Sequence, residues 1–176
     1  MFTLVSRFFN IDMREAGLKV QQHFGTATLP TKNGKAFDPD AYAKGLQTEH
    51  EAVQALGISK ETCEAFKAGY SKSGVLAGRL ALPILAEGKI SAYFGLAIKE
   101  GQSPPLLFPK GVEPPSLFVR PDFTVGEGSV MVCDDPIKVM AAYEHDMENA
   151  VALIAPIKSK ALLDLHDLCG DGIELF

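Results

Sequence analysis

Two adjacent carboxylates, Asp134 and Asp135, follow the apolar segment 129–133 and directly precede Pro136. Carboxylates at the end of a strand could hold a divalent cation such as Mg²⁺, which prefers oxygen ligands. The same pair could instead cap a helix, because acids are favoured at a helix N-terminus and proline suits its first position. We favour the cap, because one carboxylate pair without a third ligand makes a poor Mg²⁺ site.

Histidines and cysteines could also do chemistry, but their spacing does not indicate it. The four histidines share no metal-ligand spacing, and the three cysteines are odd in number and far apart, so we expect neither a zinc site nor a disulfide framework. We expect each cysteine to be a small buried or half-buried residue. The residues are His23, His50, His145, His166, Cys63, Cys133 and Cys169.

Composition is that of a globular protein, with 176 residues, 47% of them hydrophobic and 22% charged. The net charge of −5 argues against a protein dedicated to nucleic acid, because non-specific affinity comes from cations that neutralise phosphates. A local basic patch would have to overcome that charge. No apolar run approaches the ~20 residues of a membrane span, and no signal peptide is evident, so we expect a cytoplasmic protein without membrane contact.

The first third of the chain reads as helices separated by a linker. Helical spacing of apolar residues predicts a helix over 12–24, and the turn formers of 26–40 predict a linker or an ordered loop. Two small helices then end at Gly57 and Gly69. Ser59 is expected to cap the second of them.

A change of character at Gly78 predicts β-structure. Two apolar runs joined by Glu87-Gly88 predict a hairpin, and the proline-rich stretch 99–121 is expected to be extended or looping. The last third alternates strands and helices, which predicts a parallel sheet with crossover helices. The predicted strands are 129–133, 150–155 and 173–176, and the helices are 137–147 and 158–168.

Three segments in this order carry a family resemblance: LGISKETCEAFKAGY, GRLALPILAEGKISAYFG and LLFPKGVEPPSLF, followed by the strand and the acidic turn. Over about residues 50–176 the chain resembles the catalytic core of bacterial DnaG-type DNA primases and their plasmid and phage relatives. In that family a basic N-terminal subdomain leads into a Toprim subdomain. The first 24 residues are similar to the helical tail that follows the family's zinc-ribbon domain, whose ligands would lie upstream of Met1.

The resemblance implies an α+β to α/β fold in which a small mixed α/β subdomain with a β-hairpin precedes a partial Toprim-like parallel sheet. The implied divisions are a zinc-ribbon tail at 1–25, a linker at 26–50, a primase-core N-terminal subdomain at 51–121 and a truncated Toprim-like subdomain at 122–176. On this view the chain is either a piece of a longer polypeptide or a gene product that keeps only the middle of the architecture.

For catalysis, the resemblance implies a degenerate site. The family uses a glutamate at the end of the first Toprim strand and an Asp-x-Asp pair on the third strand, where carboxylates hold Mg²⁺. Here the glutamate position falls on Asp134 or Cys133, a following aspartate falls on Lys138 or Ile137, and the chain ends within the third strand. We therefore expect no catalytic residues, no tightly bound cofactor, and at most weak Mg²⁺ binding at Asp134 and Asp135.

For nucleic-acid binding, the resemblance points to Arg79 and Lys110, which match basic residues that line the family's groove for template or nucleotide phosphates. A second family arginine is replaced by Leu96 here. Both basic residues have structural alternatives, namely an ion pair of Arg79 with Glu87 and a solvated loop charge at Lys110. Other side chains that could extend a groove or stack on bases are Lys89, Lys99, Arg120, Tyr93, Phe94 and Phe108, although the aromatic ones are typical core residues.

We therefore expect a primase-related nucleic-acid-processing module that is catalytically incomplete by itself and binds single-stranded DNA weakly if at all. In complete relatives the reaction would be Mg²⁺-dependent primer synthesis from ribonucleoside triphosphates. The alternative is a non-catalytic interaction or scaffold domain for other replication or mobile-element proteins, which the acidic charge and Leu96 favour. A weaker alternative is a small-molecule nucleotide binder that uses the hairpin groove.

Overall fold

The computed structural model describes residues 37–124 and 130–154, together with Asp164 and Asp167. The chain divides into two compact units, residues 1–37 and 38–176, and all described secondary structure lies in the second. The predicted helix at 12–24 and the zinc-ribbon tail lie outside the described residues. So do the predicted elements at 158–168 and 173–176, apart from Asp164 and Asp167. Among the described residues, none of the helices has the length and apolar character of a membrane-spanning segment.

Three short helices come first, and a side chain caps the start of each. They are α1 (Pro39–Lys44), α2 (Glu51–Gln54) and α3 (Lys60–Ala65). Their caps are Asp38, His50 and Ser59, which accept hydrogen bonds from backbone N–H groups at 3.0, 3.1 and 3.1 Å. The Ser59 cap is confirmed. Helix α1 lies within the predicted linker, where Asp38 as cap and Pro39 at the first helical position are sufficient to start a helix.

The predicted hairpin forms the centre of an antiparallel sheet. Its strands are β1 (Gly69–Ser71), β2 (Arg79–Ala86), β3 (Lys89–Leu96) and β4 (Leu106–Leu107), in the spatial order β1-β2-β3-β4. Glu87 and Gly88 connect β2 to β3 with φ values of 52° and 73°. Positive φ at both turn residues matches the twist of the flanking strands, so the chain returns directly on itself.

A second sheet contains the predicted strand–helix–strand unit. Strand β5 (Leu117–Phe118), β6 (Met131–Cys133), helix α4 (Pro136–Glu144) and β7 (Ala150–Leu153) follow in chain order. The spatial order is β5-β7-β6, with β6 and β7 parallel and α4 as their crossover. Strand β5, from the proline-rich stretch, pairs antiparallel to β7, so this sheet is mixed rather than wholly parallel.

Buried side chains from both sheets belong to one hydrophobic cluster. The Phe118 ring lies 5.9 Å from the Phe66 ring and 6.2 Å from the Phe94 ring, measured between centroids. The cluster also contains Cys133 and Met140, so it includes residues on both sides of the predicted boundary at 121, and the boundaries at 25, 50 and 121 stay predictions. The described architecture is mixed α/β, as the sequence predicts.

Candidate nucleic-acid interface

Arg79 begins β2, and its side chain runs into the protein rather than into solvent. The residue is 4% exposed. Its Nη1 donates to the Pro104 carbonyl at 2.6 Å and its Nη2 to the Ser103 carbonyl at 3.1 Å. Across residues 37–124 and 130–154 no carboxylate forms an ion pair with Arg79, Glu87 included. Arg79 thus ties the segment after β3 to the start of β2, and its contact with nucleic acid stays a prediction.

Gly95 on β3 makes room for the Arg79 side chain. A Cβ at this position would lie 2.8 Å from Arg79 Cδ and 3.1 Å from Leu76 Cδ2. Real Cβ atoms essentially never show the first of these distances, because non-bonded carbon atoms repel one another well inside their optimal separation of about 3.5–4.0 Å. The Gly78-Arg79 pair at the start of β2 therefore depends on the Phe94-Gly95 pair of β3, because Gly95 leaves the space that the Arg79 side chain occupies.

Gln102 provides a second connection between the same segments. Its Nε2 donates to the Gly78 carbonyl at 3.1 Å, and its Oε1 accepts from the Ile98 backbone N–H at 3.0 Å. Sequence reasoning missed Gln102, because a glutamine within a proline-rich stretch carries no pattern that predicts a partner 24 residues away. Together, Arg79 and Gln102 fix the loop between β3 and β4.

Lys110 lies in a turn beyond β4 and is exposed. The Val112 backbone N–H donates to the Pro109 carbonyl at 3.0 Å, and Gly111 takes the positive φ of 86° that the turn requires. Within the described part of the chain, no ion pair or side-chain hydrogen bond engages the Lys110 ammonium. It is accessible to an anion, and its role as a phosphate ligand stays a prediction.

The aromatic residues of β3 belong to the core. Tyr93 is 2% exposed and Phe94 is 0% exposed. The Tyr93 hydroxyl donates to the Lys67 carbonyl at 3.1 Å, burial raises the Tyr93 pKa, and the Phe94 ring stacks on Phe108 at 5.2 Å. Leu96 is buried as well, at 6% exposure. Tyr93 and Phe94 would have to leave the core to stack on a base.

The remaining predicted cations differ in availability. Lys89 and Lys99 are exposed, and no ion pair engages either of them in the described residues. Arg120 is held at Glu148, with 3.1 Å between Nη2 and Oε2, and its guanidinium lies 5.0 Å from the Tyr143 ring centre. Arg120 is therefore occupied in the folded protein, whereas the two lysines are available.

Lys72 is a further exposed cation, which the sequence analysis did not single out. It follows β1 in the Ser-Lys-Ser-Gly stretch, and Gly74 there has a φ of 81°. Small polar residues with a glycine predict a turn. The turn signal could have predicted that Lys72 is exposed. It could not have predicted which other loop lies near this turn.

The two adjacent carboxylates have separate partners. Asp135 caps α4, because its Oδ1 accepts from the Ile137 backbone N–H at 2.8 Å. Asp134 Oδ1 lies 2.6 Å from Lys138 Nζ, and this hydrogen-bonded ammonium lowers the Asp134 pKa. The predicted cap is confirmed at Asp135. Asp134 is an exposed partner of Lys138.

Both carboxylates have partners that compete with Mg²⁺. One carboxylate is used by the helix, and the other faces an ammonium that a metal ion would have to displace. Over residues 37–124 and 130–154, no group of three or more His, Cys, Asp or Glu side chains could hold a metal ion. The chemistry expected of a Toprim site has no support from Asp134 and Asp135 as they stand, and weak Mg²⁺ binding stays a prediction.

The described cysteines and histidines have structural positions. Cys63 and Cys133 are free and buried, as expected. Burial raises the pKa of the Cys63 thiol to about 11 and also raises that of Cys133. The ring of His50, the cap of α2, stacks on Tyr70 at 3.6 Å. His145 is exposed after α4, and His23, His166 and Cys169 lie outside the described residues.

Solved structures share this fold, whereas no protein-family model and no curated protein matches the chain. The zinc-binding and RNA polymerase domains of Aquifex aeolicus primase match with a TM-score of 0.55 at 16% identity, over 96% of this chain and 55% of that one. A DnaG primase catalytic domain bound to ssDNA matches with a TM-score of 0.55 at 14% identity, over 74% of this chain and 56% of that one.

This chain spans just over half the length of each of these structures. At such identities the likeness shows the fold and not the activity. The described protein therefore has a primase-like fold, as the resemblance of its sequence implied.

Proposed function

We propose that this protein is a primase-related nucleic-acid-processing module that binds single-stranded DNA weakly and does not synthesise primers by itself. The observation that carries the proposal is the fold, which is similar to that of a DnaG primase catalytic domain bound to ssDNA. The exposed Lys110 ammonium supports it, because a lysine that forms no ion pair in the described residues can neutralise a phosphate.

Catalytic incompleteness is part of the proposal, and the contacts of Asp134 and Asp135 support it. Phosphoryl transfer in a metal-dependent site needs carboxylates that hold Mg²⁺ against the reacting phosphates. Asp135 caps α4 and Asp134 pairs with Lys138, so each carboxylate has a partner that competes with a metal ion. We expect no primer product when this chain is incubated with Mg²⁺, ribonucleoside triphosphates and a single-stranded template.

The test of binding is fluorescence anisotropy of a labelled single-stranded oligonucleotide, titrated with the protein at low and at physiological salt. We expect weak binding that falls with salt. Lys110→Ala should weaken it and reduce the slope of log K against log salt by about 0.7, the value for one phosphate contact on a single strand. Lys44→Ala, which removes an exposed charge in the last turn of α1, is the matched control and should retain the wild-type slope.

Arg79 is left unchanged in this test because it is buried. Removing it would break the bonds to Ser103 and Pro104, and a loss of binding could then report a disturbed loop. No binding of the wild-type protein at low salt would contradict the proposal, and so would salt-independent binding.

A second candidate function is a scaffold domain that keeps the fold without binding DNA, and that assembles with other replication or mobile-element proteins. Its specific support is the loss of two cations from the surface, since Arg79 is buried and Leu96 replaces the second arginine expected from the resemblance. The net charge of −5 adds to that support. Absence of DNA binding at low salt would favour this function.

A further inference from the structure

Two loops leave the same end of the first sheet and are tied together. Residues 72–78 connect β1 to β2, and residues 97–105 connect β3 to β4; we name them the loop pair. The Gly78 backbone N–H donates to the Ser71 carbonyl at 2.8 Å, and Gln102 Nε2 donates to the Gly78 carbonyl at 3.1 Å. The loop pair is thus a single hydrogen-bonded surface.

Positive charge predominates on the loop pair. Lys72 and Lys99 are exposed, one on each loop, and in the described part of the chain no acid forms an ion pair with either side chain. Glu100 is the one acidic residue in the two loop sequences. Arg79 lies against the same loops, and its buried charge is met by two carbonyl oxygens and by no carboxylate among the described residues.

We infer that the loop pair binds the phosphate backbone of single-stranded nucleic acid through Lys72 and Lys99. The inference rests on the proposed function and assigns it to residues that differ from Lys110. Two cations that project from hydrogen-bonded loops lose less conformational freedom on binding than two cations on unconnected loops would. Fixed positive charge nearby also raises the local concentration of an anionic strand.

Nucleic acid is a better match than an acidic protein segment because its charges repeat regularly along the strand, so two separated ammonium groups can each meet a phosphate. The contact would be independent of sequence, since phosphates carry no base information. Each lysine that meets a phosphate should then contribute its own counterion release to the salt dependence of binding.

The test compares two double variants of the full chain by anisotropy with labelled single-stranded DNA over a series of salt concentrations. Lys72→Ala/Lys99→Ala removes the two loop-pair charges. Lys44→Ala/Lys67→Asn removes two exposed charges from outside it and is the matched control, and asparagine tolerates the positive φ of 51° at position 67. We expect the slope of log K against log salt to fall by about 1.4 in the first variant and to stay at the wild-type value in the second.

Thermal unfolding of both variants checks the fold, which these exposed side chains should leave unchanged. If the wild-type protein binds and the two double variants share its slope, the inference is overturned while the proposed function stands. If the wild-type protein does not bind at low salt, both are overturned. Equal affinity for a polyglutamate chain of similar length would overturn the assignment to nucleic acid and indicate an acidic polypeptide as the partner.

Discussion

At the scale of single residues, Arg79 matches a basic residue of the resembled family, but in this protein its side chain is buried and binds backbone carbonyls. The Arg79 guanidinium is planar and presents its donors in a fixed fork, which suits two neighbouring carbonyl oxygens. The carbonyls of Ser103 and Pro104 lie at 3.1 and 2.6 Å from it. A lysine at this position would offer one ammonium on a flexible stem and could not reproduce both bonds with the same geometry.

Asp134 and Asp135 are adjacent but should respond differently to substitution. Asp135→Ala removes the cap of α4, so we expect the free energy of unfolding to fall by about 0.5–2 kcal/mol. Asp134→Ala removes one exposed partner of Lys138, and exposed ion pairs contribute little. Urea unfolding followed by circular dichroism should therefore show a lower midpoint for Asp135→Ala and almost no change for Asp134→Ala.

Stabilisation by Mg²⁺ through these two acids is the result that would contradict the capping role. If the wild-type protein unfolds at higher urea in Mg²⁺, and both alanine variants lose that increase, then the two acids bind the metal together and the cap is not their main role. We expect the midpoints of all three proteins to be insensitive to Mg²⁺, apart from the general effect of ionic strength that NaCl reproduces.

The sequence could predict the Asp135 cap because its signal is local: an acid, a proline and an apolar helix follow one another. It could not predict the burial of Arg79, because the partners are 24 and 25 residues away and are backbone carbonyls, which carry no residue type. The same reasoning explains Gly95. A Cβ is excluded at this position by the Arg79 side chain, which comes from the neighbouring strand.

At the scale of elements, a hydrogen bond from a backbone N–H to a carboxylate joins the start of helix α3 to the end of helix α4. Glu144 Oε1 accepts a hydrogen bond from the Ser59 backbone N–H at 2.6 Å, so the end of one helix supports the start of the other. That bond lowers the Glu144 pKa from its ordinary value of 4.5. Alongside it, the Phe66 and Tyr143 rings meet edge to face at 5.5 Å.

The lowered Glu144 pKa predicts a stability loss in acid. A carboxyl with a pKa lower in the folded than in the unfolded protein stabilises the fold fully above the unfolded value, and that contribution disappears as the pH falls through the folded value. For Glu144 the loss begins near pH 4.5 and continues below it. Glu144→Gln should give a shallower decline of the urea midpoint over that range than the wild-type protein.

Asp146→Asn is the control for this measurement. Asp146 is exposed two residues away, and its positive φ of 61° is one that asparagine also tolerates. Its pH dependence should follow the wild-type curve. Parallel curves for Glu144→Gln and the wild-type protein would mean that the bond to Ser59 does not depend on the Glu144 charge.

Elements were predictable where the pattern was local and regular. The β2–β3 hairpin follows from two apolar runs around Glu87-Gly88, and α4 follows from its cap and apolar spacing. The start of α1 was missed because the turn formers of 26–40 dominated the pattern, although Asp38 and Pro39 contained the signal. The antiparallel position of β5 was missed because a two-residue strand has no periodicity to detect.

At the scale of the whole molecule, one hydrophobic cluster includes residues from both sheets. Phe118 of β5 is 1% exposed and contacts Phe66 before the hairpin and Phe94 within it. Phe118 belongs to the second sheet and contacts residues that pack with the first sheet. It should therefore couple the unfolding of the two sheets, because neither sheet can open without exposing apolar surface that they share. We therefore expect the described part of the second unit to unfold as one cooperative structure.

Two buried thiols can test this cooperativity. Cys63 lies in α3 and Cys133 ends β6, and burial raises the pKa of both, so each should react slowly with a thiol reagent in the folded protein. In a Cys169→Ser variant, with each site followed by mass spectrometry over a urea series, both should become reactive at the same urea concentration.

Substitution of Phe118 tests whether the reactivity of the two thiols changes together. Phe118→Ala should lower the free energy of unfolding by about 3–5 kcal/mol and shift the reactivity of both thiols together to lower urea. Val75→Ala, at a residue 68% exposed, is the control and should shift neither. If Cys133 reacts at urea concentrations that still protect Cys63, the second sheet opens independently, and the predicted boundary at 121 gains support as a division between separately stable parts.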